Sequence, residues 1–309
     1  MRLLLKILAG LASLVVGLVV VSLVASFAFN LATSGEGKPV RSLWHGRFVE
    51  ADGVLTAFQE WGSQGAPIVL VGGFVEPSFV WDEVAPLLAR SHRVYALDLD
   101  GFGYSERRGP WTLAEWGDQV QSFMLKLGIK RPVVVGHSLG AAVALEIARR
   151  GLASRVVLVD GDALDSGGAP SFVRVVLRHT PLATSALRLA TRWNWPVKEI
   201  LANAYGPHHP PLDDALANRW TKQLEADGAE HALETMAGRT LPGFPRATIQ
   251  ALHVRATVVW GDEDNIDALE EGRQTAGDLH ARFVLIPDAG HLSLLSAPGA
   301  VARAIAAAP

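Results

Sequence analysis

VVVGHSLGAAVALEIA, residues 133–148, is the stretch of sequence that decides the fold. Its three valines predict a buried strand, and its alanine-rich half predicts a helix. Ser138 lies between them, flanked by Gly136 and Gly140. A strained turn that lifts a serine hydroxyl off a sheet brings the backbone too close for side chains at the two flanking positions. This setting favours a nucleophilic Ser138 over a chance G-x-S-x-G match in a loop.

Short apolar runs alternate with amphipathic segments on both sides of this stretch. This alternation predicts an α/β architecture, a mostly parallel sheet covered by helices on both faces. The predicted strands span 67–73, 93–101, 132–138, 155–161, 256–264 and 282–290. The predicted helices span 78–90, 112–127, 139–150, 267–279 and 297–307. In such a doubly wound sheet, ligands bind at the carboxyl ends of the strands.

Residues 162–250 interrupt this alternation, because they carry helical periods and prolines but no convincing buried strand. We interpret them as an inserted helical cap, with helices over 171–179, 184–193, 212–226 and 229–236. The predicted α/β core then comprises residues 44–161 and 251–309.

The N-terminal segment contains an uncharged apolar run, residues 7–29, long enough as a helix to cross the roughly 30 Å hydrocarbon layer of a membrane. We therefore expect a membrane anchor over residues 1–30, followed by a linker over 31–43 that contains the flexible stretch TSGEGK (33–38). A cleaved signal peptide is the alternative, since Ser26-Phe27-Ala28 resembles a cleavage site.

The side of the membrane depends on the flanking charges. Arg2 and Lys6 favour a cytoplasmic N-terminus, which places the domain that follows outside the cytoplasm. Lys38, Arg41 and Arg47 lie near the other end of the helix, so the count of basic residues leaves the orientation open.

Composition excludes several classes of function. The net charge of −3, without long blocks of one sign, argues against nucleic-acid binding. The chain has no cysteine, which excludes disulfides, thiolate catalysis and cysteine-ligated metals. His208-His209 has no third ligand at helical spacing, so we interpret it as a surface loop. We expect neither a metal nor a cofactor, and the sequence does not indicate an oligomeric state.

Five segments in succession resemble landmarks of the α/β-hydrolase family over residues 48–307. They are VLVGGFVEPSFVWDEVAPLLA (69–89), DLDGFGYSE (98–106), GHSLG (136–140), VVWGDED (258–264) and IPDAGHLSLLSAP (286–298). The resemblance implies the family's fold, with the serine on its nucleophile elbow. It also implies that an acid and then a histidine follow the serine along the chain.

The resemblance implies a Ser-His-Asp triad in which His291, after the last strand, is the general base. Asp264 matches the family's G-x-x-D pattern and is the expected acid. Asp262 is its nearest rival, and Asp160 and Asp162 follow another strand from which some relatives supply the acid.

The resemblance also implies an oxyanion hole formed by the backbone N–H groups of Phe74 and Leu139. The chain departs from many relatives here, because Gly72-Gly73 replaces their His-Gly. Backbone donors can survive this change.

We expect hydrolysis of an ester, carboxylic and hydrophobic, through an acyl-enzyme and without a cofactor. Hydrolysis of a carbon-carbon bond or an amide, and perhydrolysis, use the same triad and stay open. A catalytically silent binding or scaffold protein of the same fold is the alternative from another class.

Overall fold

The computed structural model describes residues 2–165, 180–237 and 239–307. Its strands are β1 (Arg47–Ala51), β2 (Val54–Trp61), β3 (Pro67–Val71), β4 (Arg93–Leu97), β5 (Val133–His137), β6 (Arg155–Val159), β7 (Ala256–Gly261) and β8 (Arg282–Ile286). They form one eight-stranded sheet in the order β1-β2-β4-β3-β5-β6-β7-β8. The β1–β2 and β2–β4 pairs are antiparallel, and all the other pairs are parallel. The predicted fold class is confirmed.

Thirteen α-helices are described. They are α1 (Arg2–Thr33), α2 (Val40–Leu43), α3 (Ala85–Leu88), α4 (Leu113–Lys126), α5 (Leu139–Arg149), α6 (Leu182–Arg192), α7 (Asn194–Tyr205), α8 (Asp214–Thr221), α9 (Ala229–Ala237), α10 (Arg246–Gln250), α11 (Leu269–Asp278), α12 (Ser293–Ser296) and α13 (Pro298–Ala306). There are also two short 3₁₀ helices in the described residues, Ser78–Trp81 before α3 and Lys222–Glu225 directly after α8.

The sheet is buried on both faces because its central strands consist mostly of apolar residues. In β3, Val69 and Val71 pack into the layer that contains α4 and α5, whereas Ile68 and Leu70 pack into the layer that contains α3 and α13. Successive side chains of a strand point to opposite faces, so this short run contributes to two cores at once.

Two parts of the sheet region differ from the predicted elements. The hairpin β1–β2 was not among the predicted strands, because only one residue of β1, Ala51, is fully buried and the hydrophobic signal is weak. The helix predicted over 78–90 is two separate pieces, since Pro86 lies in the first turn of α3 and favours a helix start there.

The segment between β6 and β7 contains helices α6 to α10 in its described part. The structure has helices close to three of the four predicted there, and the fourth, over 171–179, lies outside the described residues. Helix α7 was not predicted, since Trp193, Trp195 and Pro196 obscure its period. The division into core and cap stays a prediction.

Helix α1 includes a stretch, Gly10–Thr33, with mean hydropathy 2.5 and only 6% of its most apolar window buried. Its length and composition are typical both of a membrane span and of a signal sequence. Its last turns contact α6, where Ser26 Oγ lies 2.6 Å from Ser185 Oγ and Asn30 Nδ2 donates to Pro181 O at 2.8 Å.

The segment predicted as a flexible linker packs against the body of the protein from Lys38 onward. Lys38 N donates to Glu225 O at 2.8 Å, and Asp227 N donates to Lys38 O at 2.9 Å. Helix α2 then buries Val40 and Leu43. Only residues 34–37 separate α1 from this contact, so the helix is joined closely to the domain.

Candidate active site

Ser138 occupies a sharp turn between β5 and α5. Its φ of 50° and ψ of −122° lie where an L-residue is strained. A Cβ at Gly136 would lie 1.9 Å from Gly140 O, and one at Gly140 would lie 2.5 Å from Val71 O. The close approach of the backbone therefore requires both glycines, and the strained turn leaves the Ser138 side chain partly exposed.

His291 and Asp264 form a buried hydrogen-bonded pair beyond the ends of β8 and β7. His291 Nδ1 lies 2.9 Å from Asp264 Oδ2, and the Asp264 side chain is fully buried. The other carboxylate oxygen accepts from the backbone of Ile266 at 2.8 Å and of Asp267 at 3.0 Å. A carboxylate fixed in this way holds the proton on Nδ1, which leaves Nε2 free to accept one.

The surroundings of His291 act on its pKa in opposite directions. Burial disfavours the charged ring and lowers the pKa, whereas the hydrogen bond and charge of Asp264 raise it. The neighbouring cation His137 lowers the pKa and Asp160 raises it. The balance places the pKa of His291 above its ordinary value, which suits a general base that works near neutral pH.

The structure separates the four candidate acids. Asp160 accepts hydrogen bonds from Gly261 N, at the end of β7, and from Ser293 Oγ, at the start of α12, and Asp162 accepts from the backbone of its own turn. Among the residues with described coordinates, neither of these nor Asp262 hydrogen-bonds to His291, and Asp264 does.

Two backbone N–H groups beside Ser138 have no acceptor in the described ranges, those of Phe74 and Leu139. Leu139 is the first residue of α5, so its amide lacks an intrahelical partner and lies at the positive end of the helix dipole. The loop that carries Phe74 lies against the nucleophile, since a Cβ at Gly73 would be 2.8 Å from Ser138 Cβ. Both amides are therefore unpaired donors in the described residues, as an oxyanion hole requires.

The link between Ser138 and His291 is looser than that between His291 and Asp264. Within residues 2–165, 180–237 and 239–307, no hydrogen bond joins the Ser138 hydroxyl to the His291 ring. The two segments are nevertheless adjacent, since His137 Nε2 lies 2.7 Å from His291 O. In hydrolases without substrate, this bond is often long and tightens in the substrate complex.

Glu76 and His137 are buried beside these residues, and the sequence did not single out either. Glu76 Oε2 lies 2.7 Å from His137 Nδ1 and accepts from Gly73 N at 2.6 Å. Glu76 is a single acid in a glycine-rich loop, and nothing in the sequence around it indicates which residue it contacts. The nearest titratable residues on either side of His137 in the chain are Arg131, six positions before it, and Glu146, nine positions after it, so its pairing with Glu76 appears only in three dimensions.

Helix α7 also holds the loop of His291. Tyr205 O accepts from Gly290 N at 3.1 Å, and Ala204 O accepts from Leu292 N at 3.0 Å. The end of this helix therefore contacts the backbone on both sides of the imidazole. Elsewhere, the part of the chain with described coordinates contains no cluster of three or more metal-ligating side chains.

A family model described as alpha/beta hydrolase family matches residues 68–304. The dihydrolipoyllysine-residue acetyltransferase component of the acetoin cleaving system of Cupriavidus necator is 32% identical over 263 residues, which are 80% of this chain and 64% of that protein. The chain thus spans less than two thirds of that relative.

Solved structures are similar in fold. A meta-cleavage product hydrolase from Pseudomonas fluorescens IP01 has a TM-score of 0.69 and 22% identity, covering 84% of this chain and 95% of that one. A bacterial membrane phospholipase A has a TM-score of 0.67 and 21% identity, covering 98% of this chain and 96% of that one. With most of its length matched by the family model and its sheet in the same fold, the chain belongs to the alpha/beta hydrolase family.

Proposed function

We propose that this protein is a serine hydrolase that cleaves a carboxylic ester of a hydrophobic substrate through an acyl-enzyme. The observation that carries the proposal is the buried Asp264–His291 pair beside a serine on a strained turn. Serine is a poor nucleophile at its free pKa, so it needs a base held in the correct tautomer. The Asp264–His291 geometry supports that role.

The proposed reaction begins when Ser138 Oγ attacks the ester carbonyl carbon and His291 Nε2 takes the hydroxyl proton. Asp264 stabilises the charged imidazole, and the amides of Phe74 and Leu139 donate to the oxyanion. Collapse of the intermediate releases the alcohol, which takes its proton from His291. Water, activated by the same base, then hydrolyses the acyl-enzyme and restores Ser138.

The contact between α1 and α6 supports a hydrophobic substrate. Ser26 and Asn30, near the end of the apolar helix, hydrogen-bond to residues at the start of α6, which lies within the predicted cap. If α1 spans a bilayer, the cap lies close to its surface, where lipid-like esters are concentrated. Arg2 and Lys6 support an extracytoplasmic position for the catalytic domain.

A fluorophosphonate probe tests for the nucleophile. The full-length protein should be labelled at one site, and Ser138→Ala should abolish the label. Ser91→Ala, a change in an exposed turn, is the matched control and should label as the unmodified protein does. A protein that folds but does not label at Ser138 would be the silent binding protein of the alternative hypothesis.

A substrate panel tests for the bond that is cleaved. We expect turnover of p-nitrophenyl esters, faster with medium or long acyl chains than with acetate. Three further assays test the other reactions that use this triad. They measure hydrolysis of the matching anilides, hydrolysis of the carbon-carbon bond of a vinylogous diketone, and formation of peracetic acid. Labelling at Ser138 together with faster turnover of one of these would contradict the ester assignment but keep the nucleophile.

A further inference from the structure

His137 joins the two loops on either side of the nucleophile. On one side, Glu76 Oε2 lies 2.7 Å from His137 Nδ1 and also accepts from Gly73 N, which fixes the loop of Phe74. On the other side, His137 Nε2 lies 2.7 Å from the carbonyl oxygen of His291. A single ring therefore sets the distance between the proposed oxyanion donor and the proposed base.

The partners of His137 determine its protonation. A backbone carbonyl and an ionised carboxylate both accept hydrogen bonds, and neither can donate one. A neutral imidazole has a single N–H and could satisfy one of these two partners, whereas an imidazolium satisfies both. The ring is fully buried and the Glu76 side chain is 6% exposed, so an unmatched acceptor here would be costly.

We propose that His137 is a positioning residue, a buried imidazolium that braces the oxyanion loop (residues 72–76) against the loop of the base (residues 287–292). The inference rests on the proposed function, which gives these loops their roles. We call the His137 ring, with its contacts to Glu76 and to the carbonyl oxygen of His291, the brace. The protonation state of this ring can be measured in the absence of any enzymatic turnover.

Charge balance supports the imidazolium. Glu76 is its direct counter-ion, and Asp160 Oδ2 lies 3.8 Å from His137 Nε2. Burial lowers the pKa of His137, but the charge and hydrogen bond of Glu76, the charge of Asp160 and the hydrogen bond to His291 O together outweigh burial and raise the pKa to about 9. The ring therefore keeps its charge across the range in which a base such as His291 works.

A fixed cation at this place also acts on the base. The rings of His137 and His291 are 5.1 Å apart between centroids. The other charged groups that face His291 are acidic: Asp264, Asp160 and, at 4.0 Å, Asp267. These carboxylates favour the charged form of His291, and His137 opposes them. The brace thus keeps the base neutral to lower pH than the carboxylates alone would allow.

The first test uses full-length protein in detergent micelles, labelled with ¹⁵N at its histidines. At pH 7.5 both ring nitrogens of His137 should carry protons and give the chemical shifts of an imidazolium. The signal that is absent from the spectrum of His137→Gln identifies the residue. If every buried histidine signal at pH 7.5 is that of a neutral tautomer, the proposal is wrong, whatever the activity of the protein.

The second test is the pH profile of kcat/KM for an active ester. His137→Gln should lower kcat about tenfold through misplacement of the loops, and it should move the acid limb to higher pH by on the order of one unit. The double variant Glu76→Gln/His137→Gln also removes the carboxylate that His137→Gln leaves without a counter-ion, and its acid limb should stay at the raised pH, since Glu76 is not among the charged groups that face His291. The control is His92→Gln, which changes a partly buried histidine in a loop remote from this pair. It should change neither kcat nor the position of the acid limb.

The outcomes separate this inference from the proposed function. A lower kcat with an unmoved acid limb in His137→Gln would overturn the electrostatic role. An imidazolium in a protein that no fluorophosphonate labels would leave the brace intact and overturn the serine hydrolase. If His137→Gln does not fold, His291→Ala removes the signal of the other buried histidine in the described residues, so the buried histidine signal that remains gives the protonation state of His137.

Discussion

Asp264 Oδ2 lies 2.9 Å from His291 Nδ1, whereas Asp267 Oδ2 lies 4.0 Å from the same nitrogen. The shorter contact is a hydrogen bond from a fully buried carboxylate, and the longer one comes from a side chain that is 36% exposed. The two neighbouring aspartates therefore provide a matched pair of substitutions.

Asp264→Asn should lower kcat roughly 10³-fold or more, because the amide cannot hold the proton on Nδ1 or stabilise the charged ring. Asp267→Asn should change kcat only a few fold, since its interaction with His291 is partly screened. Steady-state kinetics on one p-nitrophenyl ester measures both. Equal losses in the two variants would contradict the assignment of Asp264 as the acid.

The acid limb of kcat/KM should lie above pH 6.5, the ordinary pKa of histidine, because the pKa of His291 is raised. The base works only when neutral, so activity falls as the pH decreases through this raised pKa. The measurement is the pH profile between about 5 and 9 for a substrate that does not titrate. A limb below pH 6.5 would show that burial outweighs the Asp264 bond.

Much of the fold could be predicted from the sequence because the parallel strands are mostly apolar and a glycine lies within four residues of the end of each. The elements that were not predicted are those in which the run of buried side chains is short or interrupted. In β1 only Ala51 is fully buried, and α7 begins with a tryptophan and a proline close together. Local pattern carries little information there, and tertiary packing decides the structure.

The residues proposed for catalysis were accessible to sequence reasoning because each one follows a strand at the same edge of the sheet. Glu76 and His137 were not, since their pairing joins a loop to the end of β5, 61 residues apart in the chain. The sequence favoured Asp264 over Asp262 only through the G-x-x-D pattern, whereas the coordinates distinguish them directly, because Asp264 hydrogen-bonds to His291 and Asp262 does not.

Helix α1 should hold the protein in the membrane. We expect the full-length chain to stay in the pellet on carbonate extraction and to retain its N-terminal peptide in mass spectrometry. Val16→Lys/Val20→Lys should move it to the supernatant, since each lysine near the centre of a span costs about 3 kcal/mol. Val16→Leu/Val20→Leu is the control. A mature protein that begins after Ala28 would instead identify α1 as a cleaved signal.

Gly73 should be intolerant of even one methyl group, for a reason that concerns the site rather than the fold. A Cβ there would lie 2.8 Å from Ser138 Cβ and 3.0 Å from Glu76 Oε2, so the nucleophile and the brace must both shift. Because a displacement of about 1 Å in a reacting group can cost 10²-fold, Gly73→Ala should lower kcat by about that factor.

Gly277→Ala is the matched control for this substitution, since no heavy atom lies within 4 Å of the added Cβ in α11. Alanine is the better helix former by about 1 kcal/mol, so this control should keep kcat and raise the melting temperature slightly. Thermal melts and steady-state kinetics on both variants separate the two effects. A Gly73→Ala protein with unchanged kcat would show that the loop of Phe74 can move away from Ser138 without loss, and would count against its amide as an oxyanion donor.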